Sequence, residues 1–250
     1  MSAPCSSRRR FAGNVRLNCL FILAALCLLA PQLAYSQEAE TEVATNTSSD
    51  ADVVMAKGTP VKQPVASEIA VMVMITDDGN VTLWSATTRC NVWTVGVEYD
   101  RHSWGHVLKS QVDYVAEVLP VVILSQPAVS DFWGNPKSPN QELVPGVSIL
   151  PIGVRMLWRN NTTIKPFMVA KLGTAVFTRK AFSPDASYVN FNIQAAFGIQ
   201  INLRKRADLR VEPIEFFHIS DGYLAASNPG MDELGVRFGI SYHLGKQVPY

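Results

Sequence analysis

From Val189 to Arg204 the chain reads VNFNIQAAFGIQINLR, and its parity is almost unbroken. Phe191, Ile193, Ala195, Phe197, Ile199, Ile201 and Leu203 share one face, while Asn190, Asn192, Gln194, Ala196, Gly198, Gln200 and Asn202 share the other. A period of two marks a β-strand, and this one outlasts most soluble strands. The pattern recurs where Trp93, Val95, Val97 and Tyr99 oppose Thr94, Gly96 and Glu98. It recurs where Leu150, Ile152, Val154, Met156 and Trp158 oppose Gly153 and Arg155, with Leu157 the exception. Near the end of the chain Leu234, Val236, Phe238, Ile240, Tyr242 and Leu244 oppose Gly235, Arg237, Gly239, Ser241 and His243. Turn-forming clusters such as TDDGN, RNNT and SPDAS separate such runs, and predict strands over 69–76, 91–100, 112–124, 147–158, 165–178, 189–203, 208–220 and 232–244. The fold class expected is all-β, an eight-stranded antiparallel up-and-down barrel.

Alternation does not say which face is outside. A soluble, lipocalin-like carrier turns its apolar side chains inward, and a transmembrane barrel turns them outward. Two features favour the membrane form. The polar faces carry Asn, Gln, Gly, Arg and Glu, a mixture suited to packing a narrow lumen, and aromatics recur near strand ends at Trp93, Tyr99, Trp158, Phe177, Phe191 and Tyr242. Eight strands leave an interior filled by side chains, so no wide pore is expected.

The first 36 residues read as a cleaved signal peptide. Arg8, Arg9, Arg10 and Arg16 form its basic region, Leu20 to Ala30 its apolar core, and Ala34-Tyr35-Ser36 its cleavage site. Residues 37–67, rich in Glu, Thr, Ser, Ala and Pro, read as a disordered leader, and 68–250 as the barrel. Cys5, Cys19 and Cys27 leave with the signal, so Cys90 has no partner for an internal disulfide. Cleavage removes four of the 22 basic residues and none of the 21 acidic ones, leaving a net charge of −3. That argues against a nucleic-acid partner. Past the signal no apolar run is long enough for a spanning helix, so any span is made of strands.

One strand carries chemistry at its end. In EFFHISDG, residues 215–222, Ile214, Phe216, His218 and Ser220 share a parity opposite to Glu215, Phe217 and Ile219. If the first set faces lipid, a histidine and a serine stand at the edge of the hydrocarbon layer, where polar groups are costly unless paired or reactive. Asp232 has the outward parity of the last strand and Glu233 does not. Antiparallel pairing then gathers Ser220 as nucleophile, His218 as base and Asp232 as orienting acid. The same residues also read as a strand-end cap, an interfacial histidine and a loop aspartate.

The run FFHISDGYLAASNPGMDELGVRFGISYHL, with VDYVAEVLPVVILSQP, VSILPIGVRMLW and KPFMVAKLGTAVFTR, resembles the outer-membrane lipid A 3-O-deacylases of the PagL type, also called acyloxyacyl hydrolases. The likeness spans about residues 90–245 and rests on His-x-Ser, here His218 and Ser220, followed by an acid after Asn-Pro-Gly, here Asp232 after Asn228, Pro229 and Gly230. It implies an outer-membrane barrel with a lipid-facing Ser-His-Asp site. It also implies lipid A or lipopolysaccharide as substrate, loss of an ester-linked 3-hydroxyacyl chain, and no metal or cofactor. The family places Asn after the serine, as an oxyanion donor, where this chain has Asp221. An ionised aspartate cannot donate, and losing one such donor costs about 2.7–4 kcal/mol of barrier. Either Asp221 turns away and a backbone N–H such as that of Gly222 serves, or activity is weak. The acid is also one methylene shorter than the Glu of the best-known members.

Other readings are a non-catalytic outer-membrane barrel of the same fold and a lipocalin-like carrier. The sequence leaves homodimer formation open. His102 and His106 in RHSWGH have helical metal spacing but read as a loop between strands, with no third ligand evident. Arg204, Lys205 and Arg206 read as a solvated turn.

Overall fold

The computed structural model describes residues 67–76, 83–85, 87, 89–159, 162–204 and 206–244. The expected signal peptide and all but the last residue of the expected leader lie outside the described residues. Eight strands form in chain order: β1 (Ser67–Thr76), β2 (Asn91–Val107), β3 (Ser110–Pro127), β4 (Gln141–Leu157), β5 (Ile164–Phe177), β6 (Val189–Arg204), β7 (Ala207–Ser220) and β8 (Met231–Leu244). Each pairs with the next, and β1 pairs antiparallel with β8, which closes the barrel and leaves no open sheet edge.

The two ends differ. At one, the connections are short: β2 turns into β3 through Leu108 and Lys109 alone, both with positive φ, as a two-residue hairpin with right-handed strand twist demands. At the other lie the long connections, 77–90, 128–140, 178–188 and 221–230. Outer-membrane barrels place long loops outside the cell and short turns toward the periplasm.

Burial settles the orientation of the wall. Val71, Ile152 and Ile240 are more than half exposed on the outer face, while Arg155, Arg210 and Arg237 are completely enclosed in the lumen. Apolar outside and charged inside is the arrangement of a transmembrane barrel. The lipocalin-like arrangement is therefore not adopted, for the lumen is packed with ion pairs rather than left as an apolar cavity.

Three prolines interrupt the period of two. Register shifts at Pro120 in β3, Pro151 in β4 and Pro213 in β7 each insert one extra residue against the neighbouring strands. A residue without an N–H is tolerated at such a bulge, and one added residue flips the parity of everything beyond it. Leu150, expected to share a face with Ile152, is consequently buried in the lumen, and Leu157 joins that side as well. In β7 the flip makes Asp208, Arg210 and Glu212 lumenal before Pro213, and Glu215, Phe217 and Ile219 lumenal after it.

Two boundaries also differ from expectation. β2 continues to Val107, so His102 and His106 lie on a strand and not in a loop: His102 pairs with Asp113 and His106 with Gln111 across β3. β4 begins at Gln141, because Pro145 sits where β4 has not yet met β5, whose pairing starts at Gly146. A proline there interrupts no ladder on that side.

Candidate active site

Pairing of β7 with β8 makes His218 and Asp232 direct cross-strand partners on the outer face, at the long-loop end. Directly opposed residues in an antiparallel pair have side chains within reach of one another, so the shorter acid suffices. His218 Nδ1 lies 2.6 Å from Asp232 Oδ1. A carboxylate only accepts, so Nδ1 carries the proton of this bond.

Asp232 is held from a second direction. Its Oδ2 accepts backbone N–H bonds from Leu83 (2.8 Å), Trp84 (2.5 Å) and Ser85 (2.8 Å) in the β1–β2 connection. Three such donors fix the carboxylate's position. The Trp84 ring stands edge-on to Phe216 at 5.3 Å and to His218 at 5.4 Å. Phe216 is stacked parallel to the imidazole, with 6.4 Å between centroids. The histidine is thus fixed by a charge on one ring nitrogen and by aromatic walls around it, and it is buried although its strand face points outward.

Ser220 shares the outward parity of His218, two residues on. Its hydroxyl donates to Asn228 Oδ1 at 2.6 Å and accepts from the Gly222 N–H at 3.2 Å, so its proton is committed to Asn228 and not to His218. Rotation about the serine Cα–Cβ bond is required before Nε2 can take that proton. Gly222 has a φ of 61°, and a Cβ added to it would stand 2.5 Å from the Phe191 ring. Only glycine meets both conditions, and Phe191, the cross-strand partner of Ser220 on β6, thereby fixes where the Gly222 N–H points.

Asp221 lies on the other side of the chain. Its parity is that of Phe217 and Ile219, it is 2 % exposed, and its Oδ1 accepts the Tyr223 N–H at 3.0 Å. Burial pushes this carboxyl above the usual range, while the backbone N–H groups of Tyr223 and Ser187 pull it down. The side chain therefore does not crowd the space beside Ser220 and puts no carboxylate there.

The loops lock the site's rim. Thr87 Oγ1 donates to the Gly230 carbonyl, Ser227 Oγ donates to the Phe132 carbonyl, and a Cβ on Gly134 would meet Pro229 at 2.7 Å. Two connections, 77–90 and 128–140, thus converge on 221–230. Sequence reasoning named His218, Ser220, Asp232, Asp221 and Gly222 but gave no role to Trp84, Leu83, Ser85, Phe191 or a side chain at Asn228. Asn228 was visible within the Asn-Pro-Gly motif. The Trp84 segment lies 148 residues from Asp232 and left no local signal.

The chain is similar in fold to a crystal structure of the outer membrane enzyme PagL, at 14 % identity and a TM-score of 0.48, covering 69 % of this chain and 97 % of that one. It is similar also to Neisserial surface protein A, at 7 % identity and a TM-score of 0.38, covering 71 % and 96 %. No curated protein sequence matches it. The model of one family, lipid A 3-O-deacylase (PagL), matches residues 93–241, which spans β2 to β8 and every residue of the site except the Leu83–Ser85 segment. The chain belongs to the lipid A 3-O-deacylase (PagL) family.

Proposed function

We propose that this chain is an outer-membrane serine esterase that removes an ester-linked 3-hydroxyacyl chain from lipid A of lipopolysaccharide, with Ser220 as nucleophile, His218 as base and Asp232 as orienting acid. The observation that carries the reading is the His218–Asp232 pair at 2.6 Å, anchored by three backbone donors on a lipid-facing wall. A buried charge and an imidazole cost too much on such a surface to persist as decoration. The site lies at the long-loop end, which faces the outer leaflet, at the depth where a headgroup ester meets its acyl chains. Delivery there accords with residues 1–36 acting as a cleaved signal peptide.

In this mechanism Ser220 swings from Asn228 to His218 Nε2, and its oxygen attacks the ester carbonyl carbon as the imidazole takes the proton. The oxyanion is received by the Gly222 N–H, released from Ser220 Oγ by the same rotation, and by the side-chain amide of Asn228. Preorganised donors of this kind each supply about 2.7–4 kcal/mol. Collapse breaks the ester, and His218 returns the proton to the departing sugar oxygen. Water, deprotonated by His218, then cleaves the acyl–serine and releases a 3-hydroxy acid. Asp232 stabilises the imidazolium in both halves. The aspartate is expected to matter through that charge: Asp232→Asn should lower kcat about 10⁴-fold, as loss of the orienting acid does in other triads.

The competing reading is a non-catalytic barrel of the same fold, which the Ser220–Asn228 bond favours. Labelling with a long-chain fluorophosphonate separates the two. A covalent adduct on Ser220, located by peptide mass spectrometry and lost in His218→Ala, supports the esterase; an intact barrel that takes no label, or takes it elsewhere, contradicts it.

A further inference from the structure

Trp84 keeps 63 % of its surface exposed although its ring edge meets Phe216 and His218. In water so much bare indole is costly, whereas against acyl chains at a membrane boundary it is favourable. Its placement is not free. The Trp84 N–H is spent on Asp232, so the ring is delivered to the β8 side of β7. On the other side Phe191, directly opposite Ser220 on β6, leaves 45 % of its surface exposed while its ring packs on Gly222. Between these two aromatics runs the outer face of β7, whose next outward positions below the site are Phe216 and Ile214, the latter 54 % exposed. Ser220 therefore stands at the head of an apolar track with an aromatic wall on each side.

We propose that this track is an acyl-chain slot and that Trp84 is its specificity-determining residue. The inference rests on the ester hydrolase reading and adds what that reading lacks, a physical basis for choosing among chains. The ester carbonyl sits beside Ser220, and the chain runs down β7 over Phe216 toward Ile214. A long chain covers the Trp84 ring and Phe216, whereas a short one ends before it gains that contact. Because Phe216 and Trp84 also flank His218, a seated chain excludes water from the imidazole during acylation. Chain selection and protection of the base are then performed by the same two rings.

The test uses the purified full barrel in detergent micelles, with p-nitrophenyl butyrate and p-nitrophenyl decanoate as probes. In Trp84→Ala the decanoate-to-butyrate ratio of kcat/KM should fall about tenfold, in line with what apolar contacts at a specificity pocket contribute. Trp84→Phe should keep most of the preference. A purely structural role for Trp84 predicts equal losses on both esters, and equal losses, or an unchanged ratio, would overturn the slot. Heat-modifiable migration on gels verifies that each variant is a folded barrel. If the intact chain hydrolyses neither ester, the hydrolase reading has failed, and the slot is then read by binding. In the Ser220→Ala background, a brominated decanoyl ester should quench tryptophan emission saturably, and Trp84→Phe should remove that saturable part. Quenching that Trp84→Phe leaves unchanged would overturn the slot on its own.

Discussion

Two layers fill the lumen, and they differ in kind. From mid-barrel to the short-turn end ion pairs dominate the filling, beside one small apolar cluster of Val115, Leu157, Phe167, Val169 and Ala196. Arg155 bridges Asp113 and Asp100, Arg210 joins Glu98, Glu68 and Asp100, Lys171 joins Glu98 and Glu117, and Arg237 reaches Glu117. At the long-loop end the filling is largely apolar, with Asn190, Asn192 and Glu233 buried beside it. Phe217 and Ile219 of β7 and Met231 of β8 pack with Met74, Leu124 and Phe177 into one buried cluster. Phe217 and Ile219 alternate with His218 and Ser220, so the apolar layer is the back of the candidate site. The ionic layer braces strands across the barrel, and any one-residue slip would put its charges into lipid, which specifies register. The apolar layer gives the site a rigid backing, with the buried Glu233 opposite Phe217 beside it.

The largest effect should come from inserting one alanine after Glu215. The added residue reverses the parity beyond it: His218 and Ser220 enter the apolar layer while Phe217 and Ile219 face lipid. Ester hydrolysis should fall to background. Full activity in a folded barrel would show that the parity of β7 does not set the site's face.

Next, Arg237→Ala leaves Glu117 and its neighbours short of a cation and should cost about 3–5 kcal/mol. Chemical denaturation in micelles reads the loss, and kcat of the surviving folded barrel should change little. Ile219→Ala tests the other layer. It should cost about 2–5 kcal/mol and, unlike Arg237→Ala, should lower kcat as well, because its cavity opens directly behind His218 and Ser220. If the two variants affect kcat alike, the division of labour between the layers fails.

The smallest effect is expected at Asp221. Its carboxyl is raised by burial, so the folded chain holds that proton more tightly than the unfolded chain does. The linked stability is present at acid pH and is lost as pH rises through the folded value. Asp221→Asn should therefore raise stability slightly at neutral pH and not at acid pH, with kcat close to that of the intact chain since the side chain faces away from Ser220. A large gain in kcat would mean that Asp221 does reach the oxyanion.

Much of this was legible in the residues. Period-two alternation located all eight strands, and the parities of β6, β8 and the end of β7 were those observed. The phase shifts at Pro120, Pro151 and Pro213 were not read, although proline inside an alternating run is their physical signal. That omission misplaced Leu150. The parity of Asp221 already set it on the Phe217 and Ile219 side, but comparison with the family's motif drew attention to its chemistry and away from its direction. The Asp232 clamp and the Trp84 wall come from a connection far away in sequence, and only closure of β1 onto β8 brings them to the site. The Ser220–Asn228 bond depends on a loop conformation that no periodicity encodes.

The central claim is that Ser220, served by His218 and Asp232, cleaves lipid A. It is tested most directly by mass spectrometry of lipid A from outer membranes of cells carrying either the intact chain or Ser220→Ala. The account predicts that lipid A loses the mass of one hydroxyacyl chain with the intact protein and keeps it with Ser220→Ala. Unchanged lipid A in both, with the barrel folded in the outer membrane, or equal loss in both, would contradict it.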